Sequence, residues 1–367
     1  MPELPDITVY VDALRERIVG RRITAVRLTS PFLLRTAEPP IDAVVGLRVG
    51  GVSRLGKRIV IELEQELALV LHLMIAGRLQ WRDTPAESSS RQTAARIRFE
   101  SGELSVTEAG TKKRASLHVV RGADALAAFE RGGLEVDAAD FDSFKRALTR
   151  ENHTLKRALT DPRILSGIGN AYSDEILHRA RLSPVKLTSR LSDAEIARLL
   201  DAAQQTLEEW TERLRRQHAG TFPTKVTAFR PEMSVHGRYG QPCPVCGTAV
   251  QRIRYAANET NYCPRCQTDG RLLADRALSR LLKQDWPRSI DEIDDMFPAA
   301  IRGAKAGART ADGATPLPAQ REGATPSAAH GEGATPAAAD GEGTTPPVPH
   351  GKSGRRGRVG SRRPGTR

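Results

Sequence analysis

Apolar residues recur near the start of the chain at helical spacing. Ile7, Val11, Leu14 and Ile18 lie 4, 3 and 4 positions apart, one face of a helical period. Asp6 stands where a helix is capped and Gly20 where one stops, so a helix is predicted between them. From Ile23 to Val120 the pattern changes to short β-rich runs at 58–63, 67–73, 95–99 and 104–107. Gly, Pro, Ser and Glu clusters separate them. This predicts a β-sandwich or barrel-like domain with one leading helix.

The helical period returns at Phe141. Leu155, Leu159, Ile176, Leu177, Leu191 and Ile196 fall in short helical stretches. Ser192 and Glu195 form a Ser-x-x-Glu capping box. It opens a long helix carrying Ile196, Leu199, Leu200, Ala203, Leu207, Trp210 and Leu214 on one side. Residues 223–240 read as a Pro/Gly-rich connection, and a last helix is predicted around Leu272, Leu273, Leu278, Leu281 and Leu282.

The end of the chain has a different texture. Gly recurs at 313, 323, 333 and 343 and Pro at 316, 326, 336 and 346, a ten-residue repeat. It has almost no large apolar side chain to offset its ordering entropy, so it reads as disordered linker. Residues 352–367 add seven basic residues and no acid. They read either as a mobile arm for DNA or as a solubilising extension.

Charge narrows the class of partner. The 367 residues hold 56 Lys plus Arg against 44 Asp plus Glu, a formal charge of +12. Residues 301–367 supply half of that excess. The balance favours a polyanion, nucleic acid or an anionic surface. No apolar run approaches the ~18 residues of a spanning helix, and no cleavable leader is visible. A soluble cytosolic protein that handles nucleic acid is the leading expectation.

Three motifs carry chemistry. All four cysteines fall in the frame C-x2-C-x16-C-x2-C, as Cys243, Cys246, Cys263 and Cys266. Four thiolates on two tight turns suit one tetrahedral Zn²⁺, closed and therefore structural. The run Gly167-Ile168-Gly169-Asn170 enters a helix. Bare amides at such a start bind phosphate, Asn170 adds a donor, and Lys156 lies one helix earlier. The chain opens Met1-Pro2-Glu3-Leu4-Pro5. Excision of Met1 would expose Pro2 as a secondary amine. An α-amine has a reference pKa of about 7.7–8.0, so part of it is neutral and nucleophilic at pH 7. Such an amine can attack a sugar C1′ and form an iminium, with Glu3 beside it as acid or base.

Together, the Pro2-Glu3-Leu4-Pro5 start, the Leu55-Gly56-Lys57 segment, the Gly167–Asn170 turn and the four-cysteine finger resemble the Fpg/Nei family. These are the formamidopyrimidine-DNA glycosylases and endonuclease VIII-like enzymes. The resemblance runs from residue 1 to about residue 290. It implies an α+β chain: an N-terminal β-sandwich with flanking helices over 1–125, a helix–two-turns–helix DNA-binding domain over 130–236, a zinc-finger hairpin over 237–290 and a disordered tail over 300–367. It implies Pro2 as nucleophile, Glu3 as acid/base and Lys57 beside the sugar and phosphate. Lys156, Asn170, Gly167, Gly169, Arg114 and Arg254 are then the expected DNA contacts, and Glu175 the carboxylate facing the catalytic amine. Damaged double-stranded DNA is the expected partner. The protein is expected to be monomeric, bacterial, cytoplasmic and nucleoid-associated. Its expected activity is excision of oxidised bases, oxidised purines favoured, with AP lyase chemistry. The alternatives are an endonuclease VIII-like preference for oxidised pyrimidines and a non-catalytic damaged-DNA module.

The chain departs from the family at three places. Asn258 stands where the finger usually has Arg, so the expected phosphate contact is either lost or moved to Arg252 or Arg254. Ile75, beside Met74, takes the place of the Met that fills the flipped-base gap. The usual Arg-Arg-Phe wedge loop reads Thr111-Lys112-Lys113-Arg114, leaving Leu117 as the only bulky apolar candidate.

Overall fold

The computed structural model describes residues 1–85, 90–224, 226–255, 258–274 and 287–292. Helix α1 (Leu4–Ile18) leads. Eight strands follow: β1 (Ile23–Leu28), β2 (Val49–Leu55), β3 (Arg58–Leu63), β4 (Leu67–His72), β5 (Gly77–Arg82), β6 (Thr93–Phe99), β7 (Gly102–Glu108) and β8 (Ser116–Arg121). They form two four-stranded antiparallel sheets, ordered β1-β6-β7-β5 and β2-β3-β4-β8. Their inner faces and the Ile7, Tyr10, Leu14 and Ile18 face of α1 make one core. The unbroken apolar run of β4 has a physical reason. Leu67, Leu69 and Leu71 enter that core, while Ala68 and Val70 join a second cluster with Val60, Val120 and Phe129.

Helix α1 begins two residues before Asp6. Glu3 is its N-cap, and Asp6 acts from inside the first turn, accepting the Glu3 amide at 2.9 Å. Pro5 is tolerated there because first-turn amides have no intrahelical acceptor.

Short α2 (Ala123–Ala127) leads to α3 (Phe141–Thr149), α4 (Leu155–Thr160), α5 (Asn170–Arg179) and the long α6 (Asp193–Gln217). The Ser192–Glu195 box caps α6, with Ser192 Oγ accepting the Glu195 amide and Glu195 Oε2 accepting the Ser192 amide. Leu155, Leu159, Ile176, Leu177, Leu199 and Trp210 centre a second core. Leu4 belongs to this core rather than to that of the sandwich. The chain's first residues are therefore wedged between the two.

The finger pairs β9 (Gln251–Tyr255) with β10 (Asn258–Tyr262) and ends in α7 (Pro264–Thr268). The predicted helix at Leu272–Leu282 is corrected at its start. Leu272 donates its amide to the Arg288 carbonyl and Leu273 to the Tyr262 hydroxyl, and neither is helical. Leu278, Leu281, Leu282 and the tail over 300–367 lie outside the described residues. Among the described residues, no helix is long and apolar enough to cross a membrane.

Candidate active site

A cavity of about 680 Å³ opens where the β2–β3 turn, the end of β4 and the 129–135 connection meet the Gly167 loop. Met1, Lys57, His72, Met74 and Arg131 are among its walls. Gly56 and Lys57 form the two-residue β2–β3 turn, Gly56 adopting a φ of +58° that a side chain resists. This short turn fixes where Lys57 emerges.

The α-amine of Met1 sits at this cavity. Burial lowers its pKa, the Glu3 carboxylate opposes the shift, and the Arg78 and Lys57 charges lower it again. Burial likewise lowers the pKa of Lys57, with Glu3 opposing. A lowered amine pKa enlarges the neutral, nucleophilic fraction at pH 7. The Pro2 ring is buried and Met1 half-buried, so removal of Met1 would leave the Pro2 nitrogen facing the same space.

Glu3 is 2% exposed. Its Oε2 accepts the amides of Gly169 at 2.6 Å and Tyr172 at 3.2 Å, and its Oε1 accepts Ala171 at 2.9 Å. The expectation of bare amides awaiting phosphate at the start of α5 is therefore corrected: the chain's own carboxylate occupies them. The two glycines serve the same lock. A Cβ on Gly169 would lie 2.4 Å from the Glu3 carboxyl carbon, and one on Gly167 would lie 2.8 Å from Leu4 Cδ1. Gly167 and Gly169 are small here because the N-terminal segment presses against them. The Gly167 carbonyl also accepts the Leu4 amide at 3.0 Å.

His72 had no signal in the sequence, being one histidine at a strand end. Register places it opposite Arg58. Burial, then Arg58 and Lys57, push its pKa down to about 4. It is neutral at pH 7, and its Nδ1 faces the Met74 amide at 3.2 Å, which puts the proton on Nε2. Arg58, Arg131 and Arg78 also carry charge at this site and were not singled out from the sequence. Met74 lines the cavity with a φ of +52°, whereas Ile75 is 57% exposed at the tip of the β4–β5 turn.

The other expected DNA contacts divide. Arg114 is exposed on the β7–β8 loop, whose amide donates to Glu108 Oε1 at 2.7 Å. Arg254 is exposed on β9. Arg252 lies 4.1 Å from the Tyr239 ring centroid and 3.5 Å from Glu259. The side chain of Asn258 lies outside the described residues. Lys156 donates to the Asn170 carbonyl at 2.7 Å and to Asp174 Oδ1 at 2.5 Å. Asn170 Nδ2 donates to the Glu259 carbonyl at 2.9 Å. Both are thus turned into the protein.

Two further expectations are corrected. Glu175 does not face the amine. Its carboxylate is buried and accepts the amides of Ser234, Val235 and His236. Leu117 is fully buried in the sandwich core and is no wedge; register had already committed it opposite Leu71.

The four cysteine sulfurs lie within 4.8 Å of one another. Tetrahedral Zn–S bonds of about 2.3 Å require sulfurs roughly 3.8 Å apart, so the set fits one structural zinc held by Cys243, Cys246, Cys263 and Cys266. His178 from α5 brings Nε2 to 3.2 Å from Cys243 Sγ, an outer contact that orients the ligand.

Comparison with known proteins agrees with this architecture. The formamidopyrimidine-DNA glycosylase N-terminal domain pattern matches residues 1–114. The formamidopyrimidine-DNA glycosylase H2TH domain pattern matches 133–218, and the zinc finger found in FPG and IleRS matches 240–268. The formamidopyrimidine-DNA glycosylase of Desulfitobacterium hafniense is 31% identical over 279 residues, covering 73% of this chain and 100% of the relative. That of Variovorax paradoxus is 32% identical over 273 residues, with the same coverage. Among solved structures, Lactococcus lactis formamidopyrimidine-DNA glycosylase bound to DNA containing an abasic site superposes with a TM-score of 0.63 at 26% identity. It covers 72% of this chain and 99% of its own. The Thermus thermophilus protein gives 0.62 at 30% identity, covering 72% and 98%. Three domain patterns in one order, full-length relatives and a wedged N-terminus above a four-thiolate zinc hairpin make this chain a member of the formamidopyrimidine-DNA glycosylase family, among the Fpg/Nei glycosylases.

Proposed function

We propose that the chain is a base-excision-repair DNA glycosylase with AP lyase activity, acting on oxidised bases in duplex DNA with oxidised purines favoured. One observation carries this reading: Met1 and Lys57 line one cavity, and the amines of both feel the charge of buried Glu3, whose carboxylate is pinned by the start of α5. On this reading 1–125 is the amine-bearing domain, 130–236 the helical DNA-binding domain and 237–290 the zinc hairpin.

The chemistry follows from the groups. The damaged nucleotide is flipped into the cavity. The neutral Pro2 nitrogen attacks C1′, the N-glycosidic bond breaks, and the base leaves with its electron pair and takes a proton. The Glu3 carboxylate takes the proton that the Pro2 nitrogen gives up on bonding to C1′ and returns it to the ring oxygen as the sugar opens, giving an iminium between Pro2 and C1′. Loss of a C2′ proton expels the 3′ phosphate. A second elimination expels the 5′ phosphate and leaves a one-nucleotide gap. Lys57 and neutral His72 hold the phosphates flanking the sugar. Arg114 and Arg254 are proposed as further phosphate contacts.

A second reading, preference for oxidised pyrimidines, is favoured by the 111–114 loop, exposed and polar now that Leu117 is committed to the core. The test is excision from two duplexes, one with 8-oxoguanine opposite cytosine and one with an oxidised pyrimidine. Faster release of the purine supports the first reading; the reverse order supports the second. Binding of both without release would leave only a damaged-DNA module.

A further inference from the structure

Asp174 is fully buried on α5 and touches three other elements at once. Its Oδ1 accepts Lys156 Nζ from α4 at 2.5 Å. Its Oδ2 faces His236 Nδ1 from the connection before the finger at 2.8 Å, and the Asn261 amide of β10 at 3.1 Å. Lys156 is itself 13% exposed along its side chain and gives a second proton to the Asn170 carbonyl. Asn170 in turn holds the Glu259 carbonyl of the same strand. The cation expected to meet DNA is thus closed into a ring of protein acceptors joining α4, α5 and β10.

We infer that Asp174 is a positioning residue: it withdraws Lys156 from the phosphate-binding set and uses that charge to fix the zinc hairpin against α5. The electrostatics favour this use. A phosphate that captured Lys156 would take the lysine from a buried carboxylate, and breaking a buried charge pair costs more than one solvent-screened phosphate contact returns. The finger's other anchors lie beside it. Glu175 takes three amides of 234–236 and His178 meets Cys243. One stretch of α5 therefore sets where the hairpin stands over DNA.

The inference rests on the proposed DNA-binding function, and the test separates the two. The salt dependence of binding to a duplex with an abasic-site analogue is measured for wild type, Lys156→Gln, Asp174→Asn and the double variant, with zinc content and thermal melting as folding controls. Each phosphate contact contributes a slope of about 0.9 in log Kd against log salt. The expected result is a wild-type slope for Lys156→Gln. Asp174→Asn steepens the slope by about 0.9 because Lys156 is released, and the double variant returns to the wild-type value. A purely structural defect would shift affinity without this pattern of slopes. Where a single variant loses zinc, the double variant decides, since it strands neither charge: a slope about 0.9 flatter than wild type would mean Lys156 contacts phosphate. A flatter Lys156→Gln slope, or a folded Asp174→Asn that keeps the wild-type slope, overturns the assignment. Absence of salt-dependent binding in the wild type would instead contradict the proposed function.

Discussion

Gly169 donates its amide to Glu3 Oε2 at 2.6 Å, and a methyl group on Gly169 would come within 2.4 Å of the Glu3 carboxyl carbon. The two residues are 166 positions apart, yet each determines the other. Glu3 supplies the acceptor that the start of α5 needs, and Gly169 supplies the space that Glu3 needs. The backbone of Gly169 has a negative φ of −129°, so alanine meets no backbone strain there, only the carboxylate.

Gly169→Ala should therefore displace Glu3 while leaving the fold intact. The expected stability cost is about 1–3 kcal/mol, the usual range for overpacking. The expected loss in strand cleavage is larger, about 100-fold or more, the scale of a misplaced acid/base. Single-turnover cleavage of an abasic duplex, beside a denaturant melt, checks both. A stable variant that cuts at the wild-type rate would mean that the position of Glu3 does not matter to the reaction.

Much of this arrangement is legible in the sequence because its signals are local. Capping at Ser192, the short β-rich runs and the cysteine spacing each depend on near neighbours. The four-cysteine set is read correctly because tetrahedral geometry admits few alternatives. What the sequence does not disclose is partner choice across the fold. A Gly-rich helix start looks like a phosphate site until Glu3 is found in it. Lys156 looks like a phosphate contact until Asp174 is found beneath it. Glu175 and Leu117 are misread for the same reason: which side of α5 or β8 is covered depends on elements remote in sequence. His72 gives no local signal, since its low pKa comes first from burial, then from Arg58 across a strand pair and Lys57 in the turn.

That histidine makes stability depend on pH. Unfolded, it titrates near its ordinary 6.5; folded, near 4. Between those values the unfolded chain binds the extra proton, so stability falls as pH drops from 6.5 to 4 and this contribution is constant above and below. His72→Gln should flatten the decline. Denaturation midpoints at pH 7, 5.5 and 4.5 for both proteins test this; parallel curves would mean that His72 is not held neutral.

Zinc removal should undo the hairpin. The finger's own buried cluster among the described residues is small, Val235, Cys243, Val250 and Cys263 with Cys266 against it, so metal binding is folding energy there. Cys263→Ser, or a strong chelator on the wild type, should release zinc and lower damaged-DNA affinity at least about tenfold, while the sandwich core persists. Full zinc content in Cys263→Ser would refute the ligand assignment.

Ile75 is exposed at the tip of the β4–β5 turn, next to Met74, which lines the cavity. If it fills the space left by the flipped base, Ile75→Ala should slow base excision about tenfold and slow cleavage of a preformed abasic site much less. Equal effects on the two substrates would assign Ile75 to general DNA binding instead.

The proposed nucleophile is the Pro2 nitrogen, and Lys57 is its natural rival, since it lines the same cavity as Met1 and burial lowers its pKa. Borohydride reduction of the protein with an abasic duplex, followed by mass mapping of the adduct, separates them. One adduct on the Pro2 nitrogen, abolished when the N-terminus is blocked, is the expected result. An adduct on Lys57, or none while the duplex remains bound, would contradict it.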